Sequence, residues 1–191
     1  STRGQADAVS FSEAVAQGLA PDGGLYLPSE FPDITPFLRE WENMSYSELC
    51  FSYFRLFATD INENTLREIV EDSYSQFSHN EIAPIVSLDE NLKVLELFHG
   101  PTLAFKDFAL QFLSRVFNIL LEREGKKITI IGATSGDTGS AAIEAFKNNS
   151  LVNIIILHPE GKVSDFQIKG MESESDEDIV ATYHFLIKKI V

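Results

Sequence analysis

Two spacings of apolar residues alternate along this chain, and the switch between them predicts its elements. From residue 45 to 77 the spacing is helical. Leu49, Tyr53, Leu56 and Phe57 recur in SYSELCFSYFRLFAT, and Leu66, Ile69, Val70 and Phe77 in NENTLREIVEDSYSQF. Both segments read as helices whose aromatic positions face a core. Asp60 or Asn62 can cap the second, and Glu63, three residues after Asp60, would complete a capping box. Upstream, FSEAVAQGL reads as a short helix ended by Gly18, and APDGG as a turn. Thr2, Arg3 and Gly4 read either as pocket residues, since Arg suits bidentate contact with an anion, or as a frayed, solvated terminus. Pro84 breaks the helical spacing, and IVSLDENLKVLELF reads as two short strands joined by the polar DEN turn.

Residues 93–146 carry the densest pattern. A strand ends in LELFHGPTLAF and turns at Gly100-Pro101. From Asp107 the spacing is amphipathic, with Phe108, Phe112, Val116, Ile119 and Leu120 on one side, until Gly125 stops it. Asp107 suits an N-cap. ITIIGA, residues 128–133, is a continuous apolar run of the buried-strand type. TSGDTGSA then opens a helix to about Phe146, and VNIIILHP completes a βαβ unit with parallel strands. In the acidic run MESESDEDI, Ser175 with Asp178 reads as a helix start. IVATYHFLIKKI reads as the helix, with His184 a surface or packing residue. The pattern predicts an α/β chain in three parts. Residues 1–92 are largely helical with short strands, 93–168 contain the βαβ unit, and 169–191 form a junction and helix.

The chemistry concentrates in two loops of the middle part. Lys106 sits at a helix N-terminus between Phe105 and Phe108. Both the dipole and an apolar surround favour a neutral, nucleophilic amine there, which suits Schiff-base chemistry with an aldehyde. The alternative is a solvated cation or a pair with Asp107. The TSGDTGSA loop is small and hydroxyl-rich, so its backbone N–H groups can approach an anion. It is neither a Walker loop nor a dinucleotide fingerprint. Asp137 argues against a simple phosphate cradle, because a carboxylate repels phosphate. His99, beside the Lys106 loop, is the histidine expected in a pocket.

Composition adds limits. The chain has 191 residues, 44% hydrophobic and 23% charged, with 15 Phe, so it can bury an aromatic core. A net charge of −14 argues against non-specific binding to nucleic acid or anionic membranes. Cys50 stands alone, which excludes a disulfide framework or a cysteine metal cluster, and a buried thiol in a reducing, cytoplasmic setting is expected. No signal peptide is apparent, and no apolar run reaches the roughly 18 residues of a membrane span. The chain begins at Ser1, so its natural start is expected to lie upstream.

LFHGPTLAFKDFALQFL together with ATSGDTGSAA closely resembles the threonine synthase family, with STRG, APDGGLYLP and HPEGKVSDFQ matching in the same order. These are pyridoxal 5'-phosphate enzymes of fold type II, related to the tryptophan synthase β subunit. STRG and the long helical region before the lysine resemble the longer, bacterial and fungal type.

The resemblance implies open, mainly parallel sheets flanked by helices. It also implies that Lys106 forms the Schiff base with the cofactor and shuttles protons. Asp137 would lie beside the cofactor's 3′-oxygen, and Phe105 would also contact the cofactor. Thr134, Ser135, Gly136, Thr138, Gly139 and His99 would meet the substrate. That substrate is O-phospho-L-homoserine, converted with water to L-threonine and phosphate. No metal, nucleic acid or membrane is implied, and a monomer or homodimer is expected.

The chain departs from the family in length. The cofactor-phosphate loop and the residue facing the pyridine nitrogen come later in that family's sequences and are not found here. SDEDIVATYHFLIKKI resembles a much later family segment, so a junction is expected near Gly170 to Ser175, with a catalytically incomplete chain. Two rival readings are a related phospho-lyase and a non-catalytic, anion-binding remnant.

Overall fold

The computed structural model of the chain describes residues 1–134, 136–147, 149–159 and 183–185. Backbone contacts divide it into two units, Ser1–Ser75 and Gln76–Val191.

The first unit holds α1 (Phe11–Gln17), a 3-10 turn (Thr35–Phe37), α2 (Leu38–Trp41), α3 (Tyr46–Phe54) and α4 (Glu63–Tyr74). Helices begin where orphan N–H groups find acceptors. Ser10 with Glu13, and Ser45 with Glu48, form complete capping boxes at α1 and α3. The box expected at Asp60 and Glu63 does not form. Asn62 caps α4, its side chain accepting from the Asn64 N–H at 2.9 Å. The Asp60 carboxylate instead accepts from the Ser12 N–H at 3.1 Å, satisfying an orphan donor in the first turn of α1.

α4 buries Leu66, Ile69 and Val70 as its spacing predicts. The predicted face of α3 needs correction. Phe51 and Ser52 are buried, whereas Leu49 and Tyr53 are exposed. Aromatic packing between the two helices sets this rotation: Tyr46 meets Tyr74 edge-on at 4.9 Å, and Arg67 of α4 lies 3.9 Å over the Phe51 ring. Cys50 is half-buried and hydrogen-bonded with Tyr46 and Tyr74, and burial pushes its thiol pKa up.

Residues 1–4 are not frayed. The Thr2 N–H donates to the Leu25 carbonyl at 2.8 Å, and Thr2 Oγ1 accepts from the Leu25 N–H at 2.9 Å. Arg3 donates to the Asp22 carbonyl at 3.2 Å. The STRG segment is thereby tied to the APDGG turn.

The second unit begins with an antiparallel hairpin, β1 (Ile85–Ser87) and β2 (Lys93–Leu95), in register Val86↔Val94. Asp89 Oδ1 accepts from the Asn91 and Leu92 N–H groups and shapes the turn. The hairpin joins strands on either side of residue 92, where the sequence pattern placed a boundary. The helix α5 (Asp107–Glu124) follows, then β3 (Ile128–Ala133), α6 (Asp137–Phe146) and β4 (Val152–Pro159).

β3 and β4 are parallel, with Ile130 opposite Ile154, and β5 (Tyr183–Phe185) pairs parallel to the end of β4. Tyr183–Phe185, expected inside a helix, are therefore strand. The β4 edge at Leu157 to Pro159 offers backbone groups that only an extended partner can pair. The predicted helix start at Ser175 and the junction near 170–175 lie outside the described residues.

A hydrophobic cluster among the described residues joins two helices to the sheet. Leu121 of α5 and Ala142, Ile143 and Phe146 of α6 pack on Val152, Ile154 and Ile156 of β4, with Ile128, Ile130 and Phe117 beside them. Both helices thus cover the same sheet face, and Phe117 meets Phe146 edge-on at 6.2 Å. The opposite face is open among the described residues. Exposure alternates along β3, and Ile131 is 68% exposed, so ITIIGA is buried on one side only. The apolar run predicted burial on both faces, but the described helices supply cover to one.

Candidate active site

Chain direction brings the two chemically loaded loops to one end of the sheet. α5 has 18 residues, about 27 Å at 1.5 Å per residue. A three-residue link, 125–127, returns the chain into β3. Gly125, left-handed at φ 62°, ends α5 with its N–H on the carbonyls of Leu121 and Glu122. The N-terminus of α5, carrying Lys106, therefore lies toward the carboxyl end of β3, where α6 begins. Ligands of open α/β sheets bind outside that end of the strands.

Lys106 is the N-cap residue of α5 and has no capping side-chain bond. Its ammonium lies 4.4 Å from the centroid of the Phe105 ring, which is itself exposed. Asp107, expected as the cap, is instead the first helical residue. Asp107 is fully buried at 0% exposure, and its two carboxylate oxygens accept from the Thr102 N–H and Thr102 Oγ1, each at 2.8 Å. Desolvation raises its pKa, against the lowering pull of those bonds. The alternative in which Lys106 pairs with Asp107 thus meets a carboxylate already held by Thr102. α5 also buries a polar stripe, Asp107, Gln111 and Ser114, which apolar spacing could not reveal.

The other loop leaves β3 with the Thr134 N–H bonded to the Leu157 carbonyl at 2.9 Å. Thr134 Oγ1 accepts from the Gly136 N–H at 3.3 Å. Asp137 and Thr138 form the exposed first turn of α6, while Gly136 and Gly139 are buried. The Gly139 N–H is taken by the Gly136 carbonyl at 2.9 Å. Ser135 lies outside the described residues.

His99 is half-buried, its Nε2 2.7 Å from Glu96 Oε2, and its ring is 4.9 Å from that of His79. Its carbonyl accepts from Ser78 through both N–H and hydroxyl. Glu96 and His79 were missed in the sequence, because a short strand followed by an irregular loop has no period to follow. Thr102 and Gly100 were missed for the same reason. Among the described residues no group of His, Cys, Asp and Glu could hold a metal ion, and no helix is long and apolar enough to cross a membrane.

The chain is similar to several known proteins. The family described as threonine synthase N terminus matches residues 1–74. Threonine synthase from Pseudomonas aeruginosa is 46% identical over 181 residues, covering 94% of this chain and 39% of that protein. The enzyme from Schizosaccharomyces pombe is 44% identical over 190 residues, covering 94% and 37%. The crystal structure of pyridoxal-phosphate-bound threonine synthase from Brucella melitensis superposes with a TM-score of 0.85 at 46% identity, covering 89% of this chain and 37% of that one. The yeast threonine synthase structure gives a TM-score of 0.86 at 39% identity, covering 93% and 38%.

The fold is that of the fold-type II pyridoxal-phosphate enzymes. Within that class, the chain is similar to threonine synthases over most of its own length, and the matching family model spans its first 74 residues. It spans just under two-fifths of the length of these relatives.

Proposed function

We propose that this chain supplies the lysine-bearing part of a threonine synthase site, which converts O-phospho-L-homoserine and water to L-threonine and phosphate. The observation that supports the reading is a lysine heading an 18-residue helix that turns back through a three-residue link into β3, the strand after which α6 begins. The residues fit pyridoxal phosphate. Lys106 offers an amine over an apolar ring, Phe105, and the first turn of α6 offers N–H groups and the Thr138 hydroxyl to an anion. When bound, the cofactor supplies the electron sink that makes elimination of phosphate feasible.

The chain's own residues then have separate tasks. Lys106 attaches the cofactor through Nζ and moves protons at that atom. Phe105 packs against the cofactor, and Asp137 faces a hydroxyl rather than a phosphate. Thr134, Ser135, Gly136, Thr138 and Gly139 receive substrate anions, and His99, oriented by Glu96, borders the same pocket. The protein is assigned to the cytoplasm as a monomer or homodimer, with no nucleic-acid or membrane partner.

Borohydride reduction in the presence of pyridoxal phosphate, followed by peptide mapping, tests the lysine. A single reduced adduct at Lys106, absent in Lys106→Ala, is expected. An adduct that survives Lys106→Ala removes the assignment. Product analysis with O-phospho-L-homoserine on the holoenzyme tests the reaction, because a related phospho-lyase would release α-ketobutyrate rather than threonine. A non-catalytic remnant would form neither product nor adduct.

A further inference from the structure

We propose that Asp107, Thr102 and Gly100 form a clasp that positions Lys106, so that Asp107 is a positioning residue for the amine rather than a helix cap. The proposal rests on the reading that Lys106 attaches the cofactor. A carboxylate at a helix N-terminus needs no burial to favour the dipole. This one is buried completely, which is unfavourable unless its oxygens are satisfied. Both are satisfied by one residue, Thr102, through its N–H and its hydroxyl. The two bonds close a ring across Leu103, Ala104, Phe105 and Lys106.

Within that ring Leu103 is left-handed at φ 62°, a conformation that disfavours a branched side chain. Such strain persists only where surrounding contacts over-determine it. Three do so here. The Leu103 N–H donates to the Gly100 carbonyl at 3.1 Å, the Asp107 N–H donates to the Ala104 carbonyl at 3.0 Å, and Thr102 binds the carboxylate.

Gly100 completes the clasp by having no side chain. A Cβ there would lie 2.4 Å from Asp107 Oδ2 and 2.6 Å from Asp107 Cβ. Lys106, the immediate neighbour of the clamped residue, has its backbone position fixed before any cofactor arrives. A carboxylate serving only the dipole would require neither the Thr102 hydroxyl nor an empty Cβ position at residue 100.

The test measures the rate at which borohydride traps pyridoxal phosphate at Lys106, by peptide mapping, beside amide hydrogen exchange at residue 102. Thr102→Val and Gly100→Ala should slow trapping at Lys106 by about tenfold or more, because small misplacements of a reacting group are costly. Thr102→Ser, which keeps the hydroxyl, should stay within about twofold. Asp107→Asn can still accept from the Thr102 N–H and pair with its hydroxyl, and should also stay near wild type. Asp107→Ala should speed exchange of the Thr102 amide by about tenfold or more.

Wild-type trapping rates in folded Thr102→Val and Gly100→Ala overturn the positioning role. If the wild-type protein itself forms no adduct at Lys106, the cofactor reading fails instead. Amide exchange then decides the clasp alone, with unchanged protection of residue 102 in Asp107→Ala overturning it. Thr102→Val leaves the carboxylate in place, so the proposal remains falsifiable should Asp107→Ala not fold.

Discussion

Gly100 approaches Asp107 so closely that a methyl group on its α-carbon would overlap the carboxylate, 2.4 Å from Oδ2. Burial at this contact raises the Asp107 pKa above 3.8. A folded state that holds the proton more tightly than the unfolded chain gains stability below 3.8, and that gain disappears as pH rises through the folded value. Asp107→Asn, which cannot titrate, should therefore gain stability relative to wild type as pH rises from about 3.5 to 7. Urea unfolding midpoints at both pH values check this, and a difference that shrinks or reverses contradicts the burial argument.

The two faces of β3 predict opposite responses to mutation. Ile143, 1% exposed in α6, packs on the covered face of the sheet, and Ile143→Ala should cost about 3 kcal/mol. Ile131, on the open face, should tolerate Ser within about 0.5 kcal/mol in this chain. Equilibrium denaturation of both variants checks the contrast. Equal losses would mean that the second face is covered.

Lys106 is held by two small opposing effects. A cation at a helix N-terminus costs about 0.5 kcal/mol, and a cation over an exposed ring contributes about the same. Lys106→Gln should therefore leave stability within about 0.5 kcal/mol of wild type while abolishing the reducible adduct. Thermal unfolding read beside adduct mapping separates loss of chemistry from loss of fold.

At α3, the bonds from Ser45 hold the Glu48 carboxyl below its ordinary 4.5. The stability this provides is present above 4.5 and is lost as pH falls through the lower folded value. Ser45→Ala should cost about 1 kcal/mol near neutrality and less in acid. Urea titrations at the two pH values measure it, and a cost independent of pH would exclude the capping box as its source.

Cys50, whose thiol pKa is raised by burial, should react with iodoacetamide about tenfold or more slowly than a free thiol at pH 8, and unfolding should abolish the difference. Alkylation followed by mass spectrometry checks it.

Much of this architecture was legible because burial and period coincide. Leu66, Ile69 and Val70 mark α4, and Val116 with Leu120 mark α5, because apolar side chains there face the core. The hairpin and the βαβ order were legible from turn residues and apolar runs. The resemblance was carried by the lysine and TSGDTG loops, which need no period.

Other features depend on contacts that leave no periodic trace. Phe51 rather than Leu49 faces inward because Arg67 and Tyr74 set the rotation of α3. Asp107 reads as a cap until Thr102 and Gly100 are found against it. Tyr183–Phe185 read as helix from their neighbours, but become strand beside β4.

The division into Ser1–Ser75 and Gln76–Val191 has a consequence for biosynthesis. The longest tie described within the first unit, Ser12 to Asp60, closes before Lys106 has been translated. At about 5–20 residues per second, the remaining 116 residues of this chain take roughly 6–23 seconds to emerge, long enough for a small helical unit to settle first. Protease protection of the first unit on stalled ribosomes should accordingly precede protection of the lysine loop. The part of the chain that carries Lys106 is then the later of the two to acquire its shape.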